Sequence, residues 1–190
     1  TDTFNYTVAD GRGASASASV TVSVAAPPSG TLTFAPTDDT NVKVASPDNT
    51  YGSATTLRVK TGSDEYRTYL KFSVSGLGGT TERPPPAKLR LFVTDPSPDG
   101  GTLYKTENTY LGSTNSWNEQ GLTWNNAPPA SGSPLASAGS TFTGTWAEID
   151  VTGAITGDGT FSFVLISGST NSAFYSSGEG ANPPQLLVTP

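Results

Sequence analysis

Apolar and polar residues alternate in short bursts along this chain, punctuated by Gly, Pro, Asn and Ser clusters. In TDTFNYTVADGRGASASASVTVSV, Phe4, Tyr6 and Val8 alternate with polar neighbours, and Ala16, Ala18, Val20, Val22 and Val24 resume the period after the turn Asp10-Gly11-Arg12-Gly13. That pattern predicts a β-hairpin. A lone two-stranded ribbon has no second sheet on which to bury its apolar face and is marginal in water. Ala25-Ala26-Pro27-Pro28-Ser29-Gly30 reads as a short stiff linker.

From Thr31 to Pro190 the alternation recurs with no helical period of useful length. Strands are predicted at Leu32 to Phe34, Val42 to Ala45, Leu57 to Lys60, Arg67 to Val74, Lys88 to Val93 and Thr102 to Glu107. Further strands are predicted at Trp146 to Val151, Phe161 to Ile166, Ala173 to Tyr175 and Leu186 to Thr189, with a single helical turn at Val151 to Ile155. The nearly continuous apolar run Phe161 to Ile166 suits a central strand. The expected class is all-β: an antiparallel β-sandwich of the jelly-roll kind over residues 31–190, preceded by a hairpin over 1–26 and a linker over 27–30.

Composition narrows the chemistry. In 190 residues there is no Cys and no His, which removes disulfides, thiolates, zinc-thiolate sites, Ser-His-Asp triads and histidine ligands. A net charge of −6 disfavours nucleic acid and anionic membranes as partners. No apolar run approaches the ~20 residues that cross a bilayer, so no membrane insertion is expected. A chain that opens on Thr and contains no Met reads as a processed or excised piece, and its low charge and lack of Cys suit an extracellular location or the cell surface.

Alternation also assigns faces. With Leu57, Val59, Leu70, Phe72, Leu89, Leu91 and Val93 pointing inward, Arg58, Lys60, Arg67, Tyr69, Lys71, Lys88 and Arg90 point outward, as does Lys43 beside Val42 and Val44. If these strands adjoin in one sheet, they form a basic stripe suited to acidic polysaccharide: Arg takes uronate carboxylates bidentately, Lys adds point charge, and aromatic rings cover the apolar face of a sugar. The same residues equally suit a solvated face on which Lys protects sheet edges. Trp117 and Trp124, in Trp117-Asn118-Glu119-Gln120-Gly121-Leu122-Thr123-Trp124-Asn125-Asn126-Ala127-Pro128, are expected to pack rather than bind sugar, and Trp146 likewise.

Carboxylates are available, yet no spacing places two of them across a cleft as a glycosidase requires, so no catalytic site is predicted. With hard oxygen ligands alone on offer, calcium is the one metal to consider, at Asp38 and Asp39 or in Asp95-Pro96-Ser97-Pro98-Asp99-Gly100. Asp in such loops also caps its own backbone, which needs no metal. The triplet Asn5-Tyr6-Thr7 matches a glycosylation acceptor but lies within a predicted strand.

Several segments carry a resemblance. Asp39-Thr40-Asn41-Val42, Asn49-Thr50-Tyr51-Gly52, Leu57-Arg58-Val59-Lys60, Tyr69-Leu70-Lys71-Phe72 and Ala87-Lys88-Leu89-Arg90-Leu91, then the Trp117 to Pro128 signature, then Ile149-Asp150-Val151-Thr152 and Tyr175 to Leu186, resemble in order the DNRLRE-type domains, a group overlapping carbohydrate-binding module family ninety-six. The resemblance covers residues 31–190 and departs from the pattern at Arg83-Pro84-Pro85-Pro86. It implies a secreted, non-catalytic β-sandwich appended to larger proteins, with alginate-like polysaccharide as ligand in the characterised branch. The hairpin is similar to the last two strands of a cadherin-like or bacterial immunoglobulin-like repeat. Two functions are open at this level: a polysaccharide-binding module that tethers a larger secreted protein, or a structural subunit of an adhesin, stalk or filament that self-associates by strand donation through residues 1–26.

Overall fold

The computed structural model describes residues 2–22, 30–77 and 84–190. Val24, most of the expected linker and Arg83 lie outside the described residues. β1 (Asp2–Ala9) and β2 (Ser15–Val22) form the expected antiparallel hairpin, with Phe4 opposite Val20, Tyr6 opposite Ala18 and Val8 opposite Ala16. The Asp10 carboxylate closes the turn by accepting the Arg12 and Ala14 N–H groups, both at 2.9 Å. One face of the ribbon is Thr, Ser and Asn; the other carries Phe4, Tyr6, Val8, Val20 and Val22, all exposed.

The larger lobe stacks two antiparallel sheets. The first runs β3 (Leu32–Phe34), β13 (Gln185–Val188), β7 (Ala87–Asp95), β12 (Ala173–Ser176), β5 (Thr56–Val59), with β10 (Trp146–Asp150) also paired to β7. The second runs β4 (Asp38–Lys43), β6 (Tyr66–Val74), β11 (Gly159–Ile166), β8 (Thr102–Thr106), β9 (Ala130–Ser137). Alternate residues of each sheet meet in the core: Leu57, Val59, Leu89, Leu91, Val93 and Tyr175 face Leu70, Phe72, Leu103, Phe163 and Leu165. Every predicted strand has a counterpart, although the one expected at Val42 to Ala45 shares only Val42 and Lys43 with the observed strand and gives way to a turn at Val44 and Ala45; a short 3-10 turn at Thr152–Ala154 stands where a helical turn was expected.

Two elements depart from the expectation. β4 begins at Asp38, in acidic text that reads as loop, because most of its buried polar groups find partners on distant strands. Asn41 accepts the Arg58 N–H at 2.6 Å and the Thr68 hydroxyl at 3.1 Å, and donates to the Thr56 carbonyl at 3.1 Å, so one amide joins the edges of both sheets. β9, ASGSPLAS, has no apolar alternation to announce it; it is an exposed edge strand containing Pro134, and a register shift between Leu103 and Lys105 interrupts its pairing with β8.

Residues 107–129 cross the outer face of the second sheet and make a second core, in which Trp117 and Leu122 pack with Val42, Tyr69 and Val164. Trp117 meets Tyr69 edge-on at 6.2 Å and donates its indole N–H to the Glu107 carbonyl at 3.1 Å. Tyr69 donates its hydroxyl to the Pro128 carbonyl at 2.8 Å, and burial pushes its pKa up to about 12. Lys71, 4% exposed, is the clamp: its ammonium donates to the Trp117 carbonyl and the Ser116 hydroxyl, pairs with Asp38 at 3.3 Å, and sits 4.0 Å above the Trp117 ring. Gly52 is required beneath this segment, since a Cβ there would fall 2.4 Å from the Glu119 carbonyl oxygen.

Removing the clamp leaves Asp38 and the Trp117 carbonyl without their cation. Lys71→Met is expected to cost about 3 kcal/mol, seen as a Tm drop of roughly 6 to 12 °C with red-shifted tryptophan emission. An unchanged Tm and emission spectrum would show that the clamp does not hold the segment down.

Candidate functional site

The single basic stripe does not form. β5 and β7 belong to one sheet and β4 and β6 to the other, so alternation assigned each residue its face within a strand but the faces look in opposite directions. Arg67, Tyr69 and Lys71 lie on the outer face of the second sheet, under or beside residues 107–129. Tyr69 and Lys71 are buried there, and Arg67 pairs with Glu65 at 2.7 Å while its guanidinium stacks 4.6 Å from the Trp124 ring.

On the first sheet, Lys88 and Arg90 share Glu148, which stands opposite Arg90 in the β10–β7 register, at 2.7 and 3.2 Å. Trp146 is not a core residue. It lies half-buried on this outer face, edge-on to Phe92 at 5.4 Å and 4.6 Å from the Arg90 guanidinium. The expectation that Trp146 packs in the core fails because Ile149 points inward and residues three apart on a strand point to opposite faces.

The remaining cations do converge. Lys43, Arg58 and Lys60 gather about Tyr66, where the edges of the two sheets meet: the Arg58 guanidinium is 4.2 Å from the Tyr66 ring centroid and Lys43 Nζ is 5.2 Å from it. Lys60 and Tyr66 exchange backbone hydrogen bonds of 3.2 and 3.0 Å, and Gly62, at φ +107°, lets the loop between them turn. Asp64 on that loop reaches Lys43 at 3.0 Å and Lys60 at 3.8 Å. The hydrogen bond from Lys43, reinforced by the charges of Lys43, Lys60 and Arg58, holds the Asp64 carboxyl below its usual range. Lys43 is raised in turn, first by the Tyr66 hydroxyl and then by Asp64.

Arg58 meets no carboxylate among the described residues. Its Nε–H is spent on the Ser172 hydroxyl at 2.9 Å, and its guanidinium lies between the rings of Tyr66 and Phe174, 5.0 Å from the latter. Tyr66 and Phe174 were not singled out from the sequence. Tyr66 precedes the alternating run that drew attention to β6, and Phe174 is the one outward residue between the buried Ala173 and Tyr175.

Asp38 and Asp39, the residues considered for calcium, both have partners within the chain. Asp38 is engaged by Lys71 and by the Glu119 N–H at 3.2 Å. Asp39 is 2% exposed; one carboxylate oxygen accepts the Gly178 N–H at 2.7 Å and the other has no hydrogen-bond partner. Among the described residues no group of three acidic side chains is arranged to hold a metal ion. In the other acidic loop, burial pushes Asp99 up, but the N–H groups of Gly101 and Gly168 and the Ser167 hydroxyl outweigh it and leave its carboxyl below the usual range. That carboxylate caps backbone, the alternative to a metal that its loop offered.

Burial, with Glu179, Glu119 and Asp38 adding and the Gly178 N–H opposing, pushes Asp39 up from 3.8 to about 7. The folded chain therefore holds a proton that the unfolded chain releases. This group's contribution to stability is complete below about pH 4 and is lost as pH rises through about 7. Asp39→Asn, which mimics the protonated acid, is expected to raise Tm above wild type at pH 8 by more than about 3 °C and to match it near pH 4. Thermal melts at the two pH values check this; an equal difference at both would exclude the linkage.

Among the described residues no helix is long and apolar enough to cross a membrane. A search of curated proteins finds no match to the chain. The model of carbohydrate-binding module family 96 matches residues 30–190, the whole two-sheet lobe with the Tyr66 cluster on its edge. The chain belongs to carbohydrate-binding module family 96.

Proposed function

We propose that this chain is a non-catalytic extracellular module that binds acidic, alginate-like polysaccharide at the Lys43, Arg58 and Lys60 cluster and so tethers a larger secreted protein. One observation carries the reading: around Tyr66 three cations face, among the described residues, the single carboxylate of Asp64, leaving a local positive excess in a chain of net charge −6. The other cations of the anticipated stripe are each matched by an acid: Arg67 by Glu65, Lys71 by Asp38, and Lys88 and Arg90 by Glu148. Arg58 is also preorganised. Stacking and the Ser172 bond fix its plane, while its two terminal nitrogens make no hydrogen bond among the described residues and can take a uronate carboxylate side by side. Lys43 and Lys60, sharing one partner, supply the field that draws the polyanion in.

Electrophoresis through gels containing alginate measures the claim. Wild type is expected to be retarded, with retardation weakening as salt is raised. Arg58→Ala is expected to bind about tenfold more weakly, about 1.4 kcal/mol, and Lys88→Ala as wild type. Retardation that is indifferent to salt, or equal for wild type and Arg58→Ala at matched Tm, would refute the assignment.

A second reading is favoured by the hairpin. Its apolar face, with Phe4 at 53%, Tyr6 at 49% and Val8 at 62% exposure, is the face that a completing strand or sheet would cover. This supports residues 1–26 as the last two strands of an immunoglobulin- or cadherin-like repeat, or as donor strands by which copies of an adhesin, stalk or filament subunit associate. Size-exclusion chromatography across a concentration series decides for self-association if the full chain shifts to larger species and a chain lacking residues 1–26 does not. A monomer at every concentration decides against it.

A further inference from the structure

Phe142 stands in water with 69% of its surface exposed, at the end of the lobe where the β7–β8, β9–β10 and β11–β12 connections meet. With Pro96 and Pro98 it lines an open groove of about 450 Å³, to which Ser140 and Asn171 add polar edges. The groove is walled by hydrogen-bonded backbone. Ser97 and the buried Thr141 bind each other three times: the Ser97 N–H donates to the Thr141 hydroxyl at 2.9 Å, and the Thr141 N–H and hydroxyl donate to the Ser97 carbonyl at 2.9 and 3.3 Å. Ser97 donates its hydroxyl to the Asn171 carbonyl at 3.0 Å, and Ser140 donates to the Pro98 carbonyl at 3.0 Å. The Phe142 carbonyl accepts the Thr145 hydroxyl at 2.6 Å, and the adjoining Gly144 N–H is tied to Val93 at 2.9 Å. An apolar ring is thus held out toward solvent on a loop that does not need the ring for its own shape.

We propose that this groove is a second carbohydrate-binding site, selective for uncharged sugar. An exposed aromatic ring bordered by prolines offers a flat apolar platform to the C–H face of a pyranose, and the Asn171 amide offers both a donor and an acceptor to its hydroxyls. Among the described residues no ionisable side chain lines the groove, so none of them rewards a uronate for losing its hydration. Because the backbone on both sides of the ring is hydrogen-bonded before a ligand arrives, little backbone ordering is needed on binding. The assignment draws on membership of a sugar-binding family and stands apart from the Tyr66 cluster, although the two sites adjoin: Ser172, beside Asn171, holds Arg58.

Amide NMR titration with laminarihexaose, cellohexaose, mannohexaose and agarohexaose tests it. At least one of these neutral oligosaccharides is expected to shift the amides of Phe142, Ser140 and Asn171. Phe142→Ala should weaken that binding at least about tenfold, Phe142→Trp should keep it, and Arg58→Ala should leave it within about twofold. Both Phe142 variants are expected to melt with wild type, because the ring is outside the packed core. The proposal is overturned if none of the four sugars moves those amides, if Phe142→Ala binds as wild type, or if Arg58→Ala abolishes the shifts together with alginate retention. Loss of alginate binding alone in Arg58→Ala, with neutral-sugar shifts intact, leaves both sites standing as separate.

Discussion

The buried ammonium of Lys71 determines which surfaces of the sandwich can meet a ligand. By holding the Trp117 carbonyl, the Ser116 hydroxyl and Asp38 together beneath an indole, it fastens residues 107–129 across the outer face of the second sheet. An ammonium taken out of water must be surrounded by acceptors, and a segment so engaged cannot lift without stranding the charge. The second core around Trp117 depends on that closure, and so does the removal of Tyr69 from solvent. A face that alternation marks as outward thus becomes interior, whereas the outer face of the first sheet still carries the half-buried Phe92 and Trp146.

The charge distribution follows from the same arrangement. On β7 of the first sheet the cations find an acid on the neighbouring strand, as Arg90 finds Glu148 directly opposite on β10 and Lys88 reaches the same carboxylate diagonally. Where the two sheets meet edge to edge at β4 and β5, Asn41 draws the edges together and brings Lys43 toward Arg58 and Lys60, which lie far from it in sequence. Among the described residues Asp64 alone is there to balance them. Surface ion pairs of this kind contribute little to stability, so their value is in the field they leave over the edge.

The sequence made the strands legible wherever alternation was clean, and β6, β7 and β11 were found within a few residues. It failed at β4 and β9 for opposite reasons. β4 buries polar side chains whose partners come from distant strands, and β9 buries almost nothing. Faces were readable within a strand, since Leu57 and Val59 point inward and Arg58 outward as expected, but sheet membership was not. Consecutive strands β5 and β6 lie in different sheets, a fact of tertiary packing that local periodicity does not encode. The structural role of Trp117 was apparent from the size of its ring, whereas the outward position of Trp146 needed only its parity relative to Ile149. Phe142 gives no signal in sequence, because one aromatic residue in a Gly-, Ser- and Thr-rich loop reads the same whether buried or bare.

Hydrogen exchange of the full chain with and without alginate oligosaccharide tests most directly the claim that closure of the second sheet leaves the Tyr66 edge as the acidic-glycan surface. Slowed exchange confined to the backbone around Lys43, Arg58 to Tyr66 and Ser172 to Phe174, with residues 107–129 unchanged, is the predicted result. Protection centred on residues 107–129 and the strand carrying Arg67 to Lys71 would contradict it, for it would mean that the clamped segment is itself the binding surface.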